Sequence, residues 1–175
     1  MRRTTTPLIG VLLLVWRPAW SETIITDEQG CIHEGGQWGS DGLAVGCTVK
    51  GRRQGRWTSL PGRGRPWERT YARGVLQGPA RDFYGNCVRA AAGQFERGKR
   101  QGRWVFFYKD GVKAAEGSYE KGVKQGSWTD YHPEGPRVKQ GPYADDLAHG
   151  LFTEWFTNGQ RWQQVRFERG ERQGE

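Results

Sequence analysis

The chain has 175 residues, with 27 Lys and Arg against 19 Asp and Glu, and it contains 9 Trp, 6 Tyr and 7 Phe. Beyond residue 21 only 5 Leu, 3 Ile and 9 Val remain, which excludes a leucine-packed helical bundle. Gly and Pro together stay below the fraction typical of a disordered low-complexity chain, so the composition indicates a folded protein with an aromatic core.

The segment 1–21 has the order of a secretory signal. Arg2 and Arg3 precede an apolar run, and Ala19 and Ser21 stand at positions minus three and minus one to a cleavage site before Glu22. The run has about ten residues, fewer than the roughly twenty of a membrane span. We therefore expect a periplasmic or secreted protein. An uncleaved segment that keeps the protein at the membrane is the alternative.

Residues 22–54 do not keep the period described below, and we expect them to form an irregular N-terminal cap. Cys31 and Cys47 lie in this segment. A disulfide between them is predicted, with a stabilisation of about 3 kcal/mol from the closed loop. Cys87 lies outside the cap and is expected to be an exposed thiol, with an intermolecular bridge as the alternative.

A repeat with a period of about 24 residues occupies positions 55–175, and a fixed period this short is typical of stacked supersecondary units. Its units begin near residues 55, 78, 102, 126 and 150, each at a Gly, and Gly174 follows at the same spacing. Aromatic residues keep the register in two series: Trp57, Trp104, Trp128 and Phe152 near the unit starts, then Tyr71, Phe95, Tyr119, Tyr143 and Phe167.

Each unit is predicted to be a β-hairpin. One period with two Gly-containing turns leaves about five to seven residues per strand, which is too few for an additional helix. The fold class is therefore all-β, an elongated single antiparallel sheet of about five stacked hairpins. A third aromatic series, three residues after the first, leaves one question open: strict alternation places it on the opposite face, whereas a bulge would return it to the same face.

The units resemble MORN-type repeats, and particularly the bacterial MORN-variant, antitoxin-like repeat family. The residues that carry the resemblance are the runs Gly102 to Gly111 and Gly117 to Gly126. The resemblance implies an elongated sheet of hairpins that serves as a scaffold for proteins or lipids. Ala80 and Asp146 depart from the pattern, since they replace an expected aromatic residue and a turn Gly.

Charge is unevenly distributed along the repeats. Residues 22–49 hold five acidic and no basic residues, whereas residues 50–113 hold 16 basic and four acidic ones. The middle segment is expected to attract polyanions such as lipid headgroups, envelope polymers or an acidic protein. The residues expected to bind anions are Arg52, Arg53, Arg56, Arg63, Arg65, Arg97, Lys99, Arg100 and Arg103.

A basic residue also precedes the turn Gly in nearly every unit, which predicts a ladder of positive charge along one rim of the sheet. The alternative is that these residues only keep the turns soluble. The sequence ends where another hairpin would begin, so we expect self-association or partner docking at the sheet edge formed by residues 160–171, or at a sheet face. Nucleic acid is a poor candidate for an exported chain.

Motifs typical of metal sites or of catalytic sites are scarce in the sequence. His33, His132 and His149 are widely separated, and no Cys pair has zinc-like spacing. We therefore predict a non-catalytic protein without cofactor or metal, an exported scaffold that binds a protein partner or an anionic envelope surface. An antitoxin-like neutraliser of an exported toxin, and an enzyme with an unrecognised site, are the alternatives.

Overall fold

The structure, a computed structural model, describes residues 31–32, 35–62 and 64–174. Over these residues the protein forms one open sheet of 14 antiparallel strands. The prediction of an all-β, elongated single sheet of hairpins is confirmed. The predicted leader, residues 1–21, lies outside the described residues. No helix formed by the described residues has the length and hydropathy of a membrane span.

Strands β3 to β10 have six to nine residues each, and all but β4 exceed the expected five to seven, because one of the two turns in each unit takes only two residues. The strands are β1 (Gln37–Ser40), β2 (Ala44–Val49), β3 (Arg52–Ser59), β4 (Trp67–Ala72), β5 (Val75–Phe83), β6 (Arg89–Glu96), β7 (Lys99–Phe107), β8 (Lys113–Glu120), β9 (Val123–Tyr131), β10 (Arg137–Ala144), β11 (Leu147–Ala148), β12 (Gly150–Trp155), β13 (Arg161–Glu168) and β14 (Glu171–Gln173).

Each strand pairs with the strands that precede and follow it in the chain, so the sheet grows by one hairpin per repeat. The exception is β10, which pairs with the short β11 near its end and with β12 over its middle. At the last edge, β14 pairs with β13 through Arg166, Phe167 and Glu168. Because hydrogen-bonded neighbours are local in sequence, the repeat period directly sets the spacing of the units along the sheet.

The third aromatic series lies on the opposite face from the first. Trp128 and Tyr131 alternate along β9, and Tyr131 reaches Glu116, which pairs with Thr129 rather than with Trp128. The irregular register falls on the partner strand, where Tyr131 pairs with Arg137 and the next pair skips one residue. Strict alternation thus survives, and each face has its own aromatic rows.

The core is a single layer on one side of the sheet, which we call the aromatic face. Its largest buried side chains are Trp57, Trp104 and Phe152, each no more than 1% exposed, with Trp128 at 3%. The other side carries Glu116 and Tyr131 and is called the polar face. A one-layer sheet has no second sheet to cover its core, so the rings must be covered by each other and by long side chains.

The N-terminal segment joins the sheet before the repeats begin. Strands β1 and β2 and the start of β3 lie within residues 22–54, the segment expected to form an irregular cap, so its part from residue 37 onward continues the sheet. Cys31 and Cys47 form the predicted disulfide, with their Cα atoms 5.5 Å apart. Both cysteines are fully buried beneath Trp38 and Val49. The disulfide therefore ties Cys31, ahead of β1, to the second strand of the sheet, β2.

Candidate functional site

The aromatic face is built from rings that lie flat over glycines of the preceding strand. A Cβ atom added at Gly93 would lie 2.3 Å from Trp104, and one at Gly117 would lie 2.2 Å from Trp128. The indole N–H of each Trp then donates to a main-chain carbonyl of the covered strand, as Trp104 does to Gln94 at 3.1 Å. The ring therefore fills the space that a Cβ atom on the glycine would need, so a substitution at either position disturbs the other.

The second unit lacks both members of this ring and glycine pair. Ala80 replaces the ring, and the residue beside it on β4, where other units have Gly, is Arg69. Arg69 fills the space with a guanidinium that reaches Asp82 at 3.0 Å and lies 4.9 Å from the Trp67 ring. The departure at Ala80 is thus a local exchange of a ring for an ion pair.

Neighbouring rings form a ladder along the aromatic face, interrupted between Tyr71 and Phe95, where Ala80 stands in place of a ring. Consecutive ring centroids lie 5.0 to 6.5 Å apart and most pairs meet edge to face, the preferred arrangement. Phe106 adds a rung between Trp104 and Trp128, at 6.1 and 6.2 Å. The predicted ladder residues, which make these contacts, are Trp57, Tyr71, Phe95, Trp104, Tyr119, Trp128, Tyr143, Phe152 and Phe167.

Cationic side chains cover the ladder. Arg53 lies 4.5 Å from the Trp57 centroid, Arg100 lies 4.6 Å from that of Trp104, and Lys124 Nζ lies 4.4 Å from that of Trp128. Their aliphatic stems exclude water from the rings, and their charges interact with the ring faces. The cations therefore complete the core that the open sheet leaves uncovered, and they also give the aromatic face its positive charge.

Carboxylates neutralise some of these cations. The guanidinium of Arg53 binds Asp41, with Nε donating at 3.0 Å, and the pKa of Asp41 is lowered chiefly by its hydrogen bond to Arg53. Lys139, which lies over Phe152, pairs with Glu154 at 3.3 Å. These ion pairs remove most of the charge that two of the cations offer to a ligand.

Arg100 and Lys124 differ from the other cations on the ladder. Within the described part of the chain, the side-chain charge of neither residue has a carboxylate within 4.0 Å, although Asp146 accepts from the backbone N–H of Lys124 at 2.7 Å. Arg100 donates instead to the Tyr119 hydroxyl at 3.2 Å, and Tyr119 pairs directly with Lys124 across the two strands. The two charges thus flank one tyrosine whose hydroxyl proton is available for a further acceptor.

Asp130 is an acidic group that interacts with one of these two cations, Lys124. It lies half-buried on the aromatic face between Ala115 and Lys139. Burial raises the pKa of Asp130, and the charges of Lys124 and Lys139 act in the opposite direction. Asp130 thus shares its charge between two lysines and forms an ion pair within 4.0 Å with neither, among the described residues.

The polar face holds a separate charge cluster around Glu116. Arg103 and Lys113 both bind this carboxylate, Lys113 at 3.0 Å, and the Tyr131 hydroxyl donates to it at 2.6 Å. These hydrogen bonds, that of Arg103 foremost, lower the pKa of Glu116 from 4.5 to about 2. Because three donors already hold it, the carboxylate is a structural latch between β7, β8 and β9 rather than an acid or a base.

The Glu116 latch predicts a pH dependence of stability. Because the folded-state pKa of about 2 lies below the ordinary value of 4.5, the latch contributes fully above pH 4.5 and is lost as the pH falls towards 2. With screening at the exposed partners, we expect about 1–2 kcal/mol at neutral pH. Urea midpoints of wild type and Glu116→Gln should differ at pH 7 and converge near pH 2; a constant difference would contradict the assignment.

The structure separates the residues predicted to bind anions. Arg53 and Arg100 lie on the aromatic face, and Arg97 lies in a turn. Alternation along β3 and β7 places the remainder of the described set on the polar face, where Arg103 is held by Glu116. These polar-face residues are Arg52, Arg56, Lys99 and Arg103. Arg65 lies between β3 and β4, with its guanidinium 5.9 Å from the Tyr84 ring, and Arg63 lies outside the described residues.

Along the described chain, six two-residue turns form one rim of the sheet, here called the turn rim. In every turn both central residues have positive φ, as type I′ turns require. In five of the six the first of these is Lys or Arg, with φ between 48° and 51°. The turns are Lys50-Gly51, Arg73-Gly74, Arg97-Gly98, Lys121-Gly122, Asp145-Asp146 and Arg169-Gly170.

A glutamine of the preceding unit holds each central turn in place. Gln77 accepts from the backbone N–H of Arg97 at 2.9 Å, and Gln101 accepts from that of Lys121 at 2.9 Å. Gly122 N–H adds a bond to the Arg100 carbonyl at 2.9 Å. The sequence shows this glutamine at the same place in every unit except at His149, but its role is visible only once the turns are stacked.

The opposite rim uses a longer turn that closes with one left-handed residue. Gly111, Gly135 and Gly159 take that position, and Cys87 takes it in the second unit with a φ of 64°. Cys87 is exposed and forms no disulfide with another described residue. The Tyr84 hydroxyl donates from this turn to the Phe107 carbonyl of the next unit at 2.6 Å, which ties this rim together as well.

The described residues contain no assembled metal site. No three His, Cys, Asp or Glu side chains there come together as metal ligands. His132 lies in an opposite-rim turn beside Glu134, and His149 lies between β11 and β12. The features that stand out are therefore surfaces, namely the cation-covered ladder and the turn rim.

Comparisons with known proteins add no family to this picture. No model of a protein family matches the chain, and no curated protein matches it either. The resemblance to MORN-type repeats stays a prediction, and functional conclusions depend on the geometry described above.

Proposed function

We propose that this protein is an exported, non-catalytic repeat scaffold that binds an anionic partner, a protein or a component of the cell envelope, through the aromatic face. The observation that carries the proposal is the pair formed by Arg100 and Lys124. Both cations cover the ring ladder, and the side chain of neither forms an ion pair within 4.0 Å in the described chain.

Position distinguishes this pair from the other cations. Leu76 and Ala148 occupy the positions equivalent to Arg100 and Lys124 in the preceding and following units. The two charges therefore stand between uncharged residues. The Tyr119 hydroxyl between them already accepts from Arg100, which leaves its proton for an incoming acceptor. Two cations and one hydroxyl donor suit carboxylate or phosphate oxygens, and the Arg offers a planar fork for either group.

Export is supported by two independent features of the chain. Residues 1–21 follow the charged, apolar and small-residue order of a secretory signal. The buried disulfide between Cys31 and Cys47 fits an oxidising compartment, where such bonds persist. An exported scaffold meets its anionic partner outside the cytoplasm, which favours envelope polymers, lipid headgroups or acidic exported proteins over nucleic acid.

Binding measurements on the double variant Arg100→Met and Lys124→Met test the proposal. Met keeps an unbranched apolar stem over the rings while it removes the charge, so the fold should persist. Each basic side chain near an anionic surface contributes about 1 kcal/mol, so affinity for polyglutamate and for phosphatidylglycerol vesicles should fall roughly tenfold or more.

The matched control is the double variant Arg56→Met and Lys99→Met, which removes the same charge from the polar face. Its affinity should stay within about twofold of wild type, because neither side chain reaches the ladder. Equal losses in the two double variants would mean that binding follows net charge alone, and would refute an aromatic-face site.

A further inference from the structure

We infer a second binding surface, the turn rim, which takes a linear phosphate polymer along its row of basic turns. This surface is separate from the Arg100 and Lys124 pair, and it has its own residues and its own test. Lys50, Arg73, Arg97 and Lys121 occupy equivalent positions in four consecutive turns, and Asp145 interrupts the row before Arg169.

The backbone conformation of these residues indicates that their charge serves a purpose beyond solubility. The first central position of a type I′ turn requires a left-handed residue, where Asn, Asp or Gly is preferred. An ordinary L-residue there costs about 1–2 kcal/mol, and this chain places a Lys or Arg there in five of six turns. Solubility alone would be served as well by Asn or Asp, without the strain.

The turns are held at fixed positions, so the backbones of their basic residues form a regular row, with Lys121 Nζ 3.7 Å from Glu120. Gln77 and Gln101 bind the backbone of the next basic residue, and Gly98 N–H donates to the Leu76 carbonyl at 2.9 Å. Each turn is thus docked on the strand that follows the previous turn. Successive basic residues are two strands apart, roughly 10 Å, so four turns span about 30 Å.

Because the sheet is twisted, the turn rim fits a flexible polymer better than a flat surface. Adjacent strands rotate by roughly 20–25°, so turns two strands apart rotate by roughly 40–50°. Four consecutive basic turns then point across an arc of about 120–150°, and a planar membrane can meet only one or two of them. A linear chain of phosphates can wind with the rim and contact successive basic turns.

The double variant Arg97→Asn and Lys121→Asn separates binding from folding. Asn is favoured at this turn position, so thermal stability should stay equal or rise while two charges are removed. Affinity for long-chain polyphosphate should fall roughly tenfold, and the slope of log affinity against log salt should decrease by about 1.4–1.8. The control double variant Lys109→Gln and Arg161→Gln removes equal charge from the opposite rim and should bind like wild type.

The length of the ligand and the acidic turn that interrupts the basic row provide two further tests. Tripolyphosphate can reach two neighbouring turns at most and should bind much more weakly than the long chain. The double variant Asp145→Arg and Asp146→Gly extends the row and should tighten binding several-fold. Polyphosphate binding that is unchanged in the Asn variant would overturn the inference. Rim-dependent binding to phosphatidylglycerol vesicles with none to polyphosphate would overturn the choice of ligand.

Discussion

Replacement of Trp104 by Ala should remove about 3–5 kcal/mol from the free energy of unfolding, the range for a buried Trp. Trp104 is fully buried, its ring contacts Phe95, Phe106 and Tyr119, and its indole N–H donates to Gln94. The substitution breaks the ladder in its middle and leaves Arg100 without the ring that it covers. The urea midpoint measures the loss.

The matched control for Trp104 is Trp162, which is 59% exposed and packs only beside Phe156 among the described rings. Trp162→Ala should cost less than about 1 kcal/mol. Similar losses at the two positions would show that the aromatic face is not the core of the protein.

Substitution of Gly117 by Ala should be nearly as damaging, although it adds only one methyl group. The new Cβ would lie 2.2 Å from the Trp128 ring. That ring cannot retreat, because its N–H is bonded to the Ser118 carbonyl at 3.1 Å and it is packed by Tyr119. We expect a loss of about 3 kcal/mol or more from overpacking, read from the urea midpoint.

Gly85→Ala is the control for the added methyl group. A Cβ atom added at Gly85 would have no heavy atom within 4 Å, and Gly85 does not have positive φ. The substitution should be neutral or stabilising by up to about 1 kcal/mol through the unfolded state. If Gly117→Ala were equally harmless, rings would not be lying flat on the glycines.

The architecture could be predicted because every unit of the repeat depends on the same local interactions. Glycines that recur once per unit fix the turns, aromatic residues between them fix the strands, and neighbouring strands pair along the chain. The Cys31 and Cys47 disulfide followed from two cysteines in one short segment. These features depend on local sequence, which is the part that a pattern can report.

The candidate site could not be predicted in the same way, because it depends on which charges meet. Arg100 and Arg103 stand three residues apart and were grouped by sequence, but alternation places them on opposite faces. Arg53 resembles Arg100 in the pattern, yet Asp41 from the N-terminal segment neutralises it. Lys124 was not among the predicted residues, although it follows a basic turn one unit after Arg100.

The glutamine that holds each rim turn was visible in the sequence as a repeated residue without a role. Its bond to the next turn crosses about 20 positions, from Gln101 to Lys121 for instance, and joins side chain to backbone. Such a bond depends on the register between units, so it becomes apparent only when the hairpins are stacked. The same holds for the rings that lie over Gly93 and Gly117.

Chemical-shift mapping of the protein prepared without residues 1–21 and titrated with polyglutamate would show where an anionic partner binds, and so decides between the aromatic face and the rest of the surface. We expect saturable shifts at Arg100, Tyr119 and Lys124, with small changes at Arg56 and Arg103. Shifts confined to the polar face, or spread evenly over every exposed basic residue, would refute binding through the aromatic face.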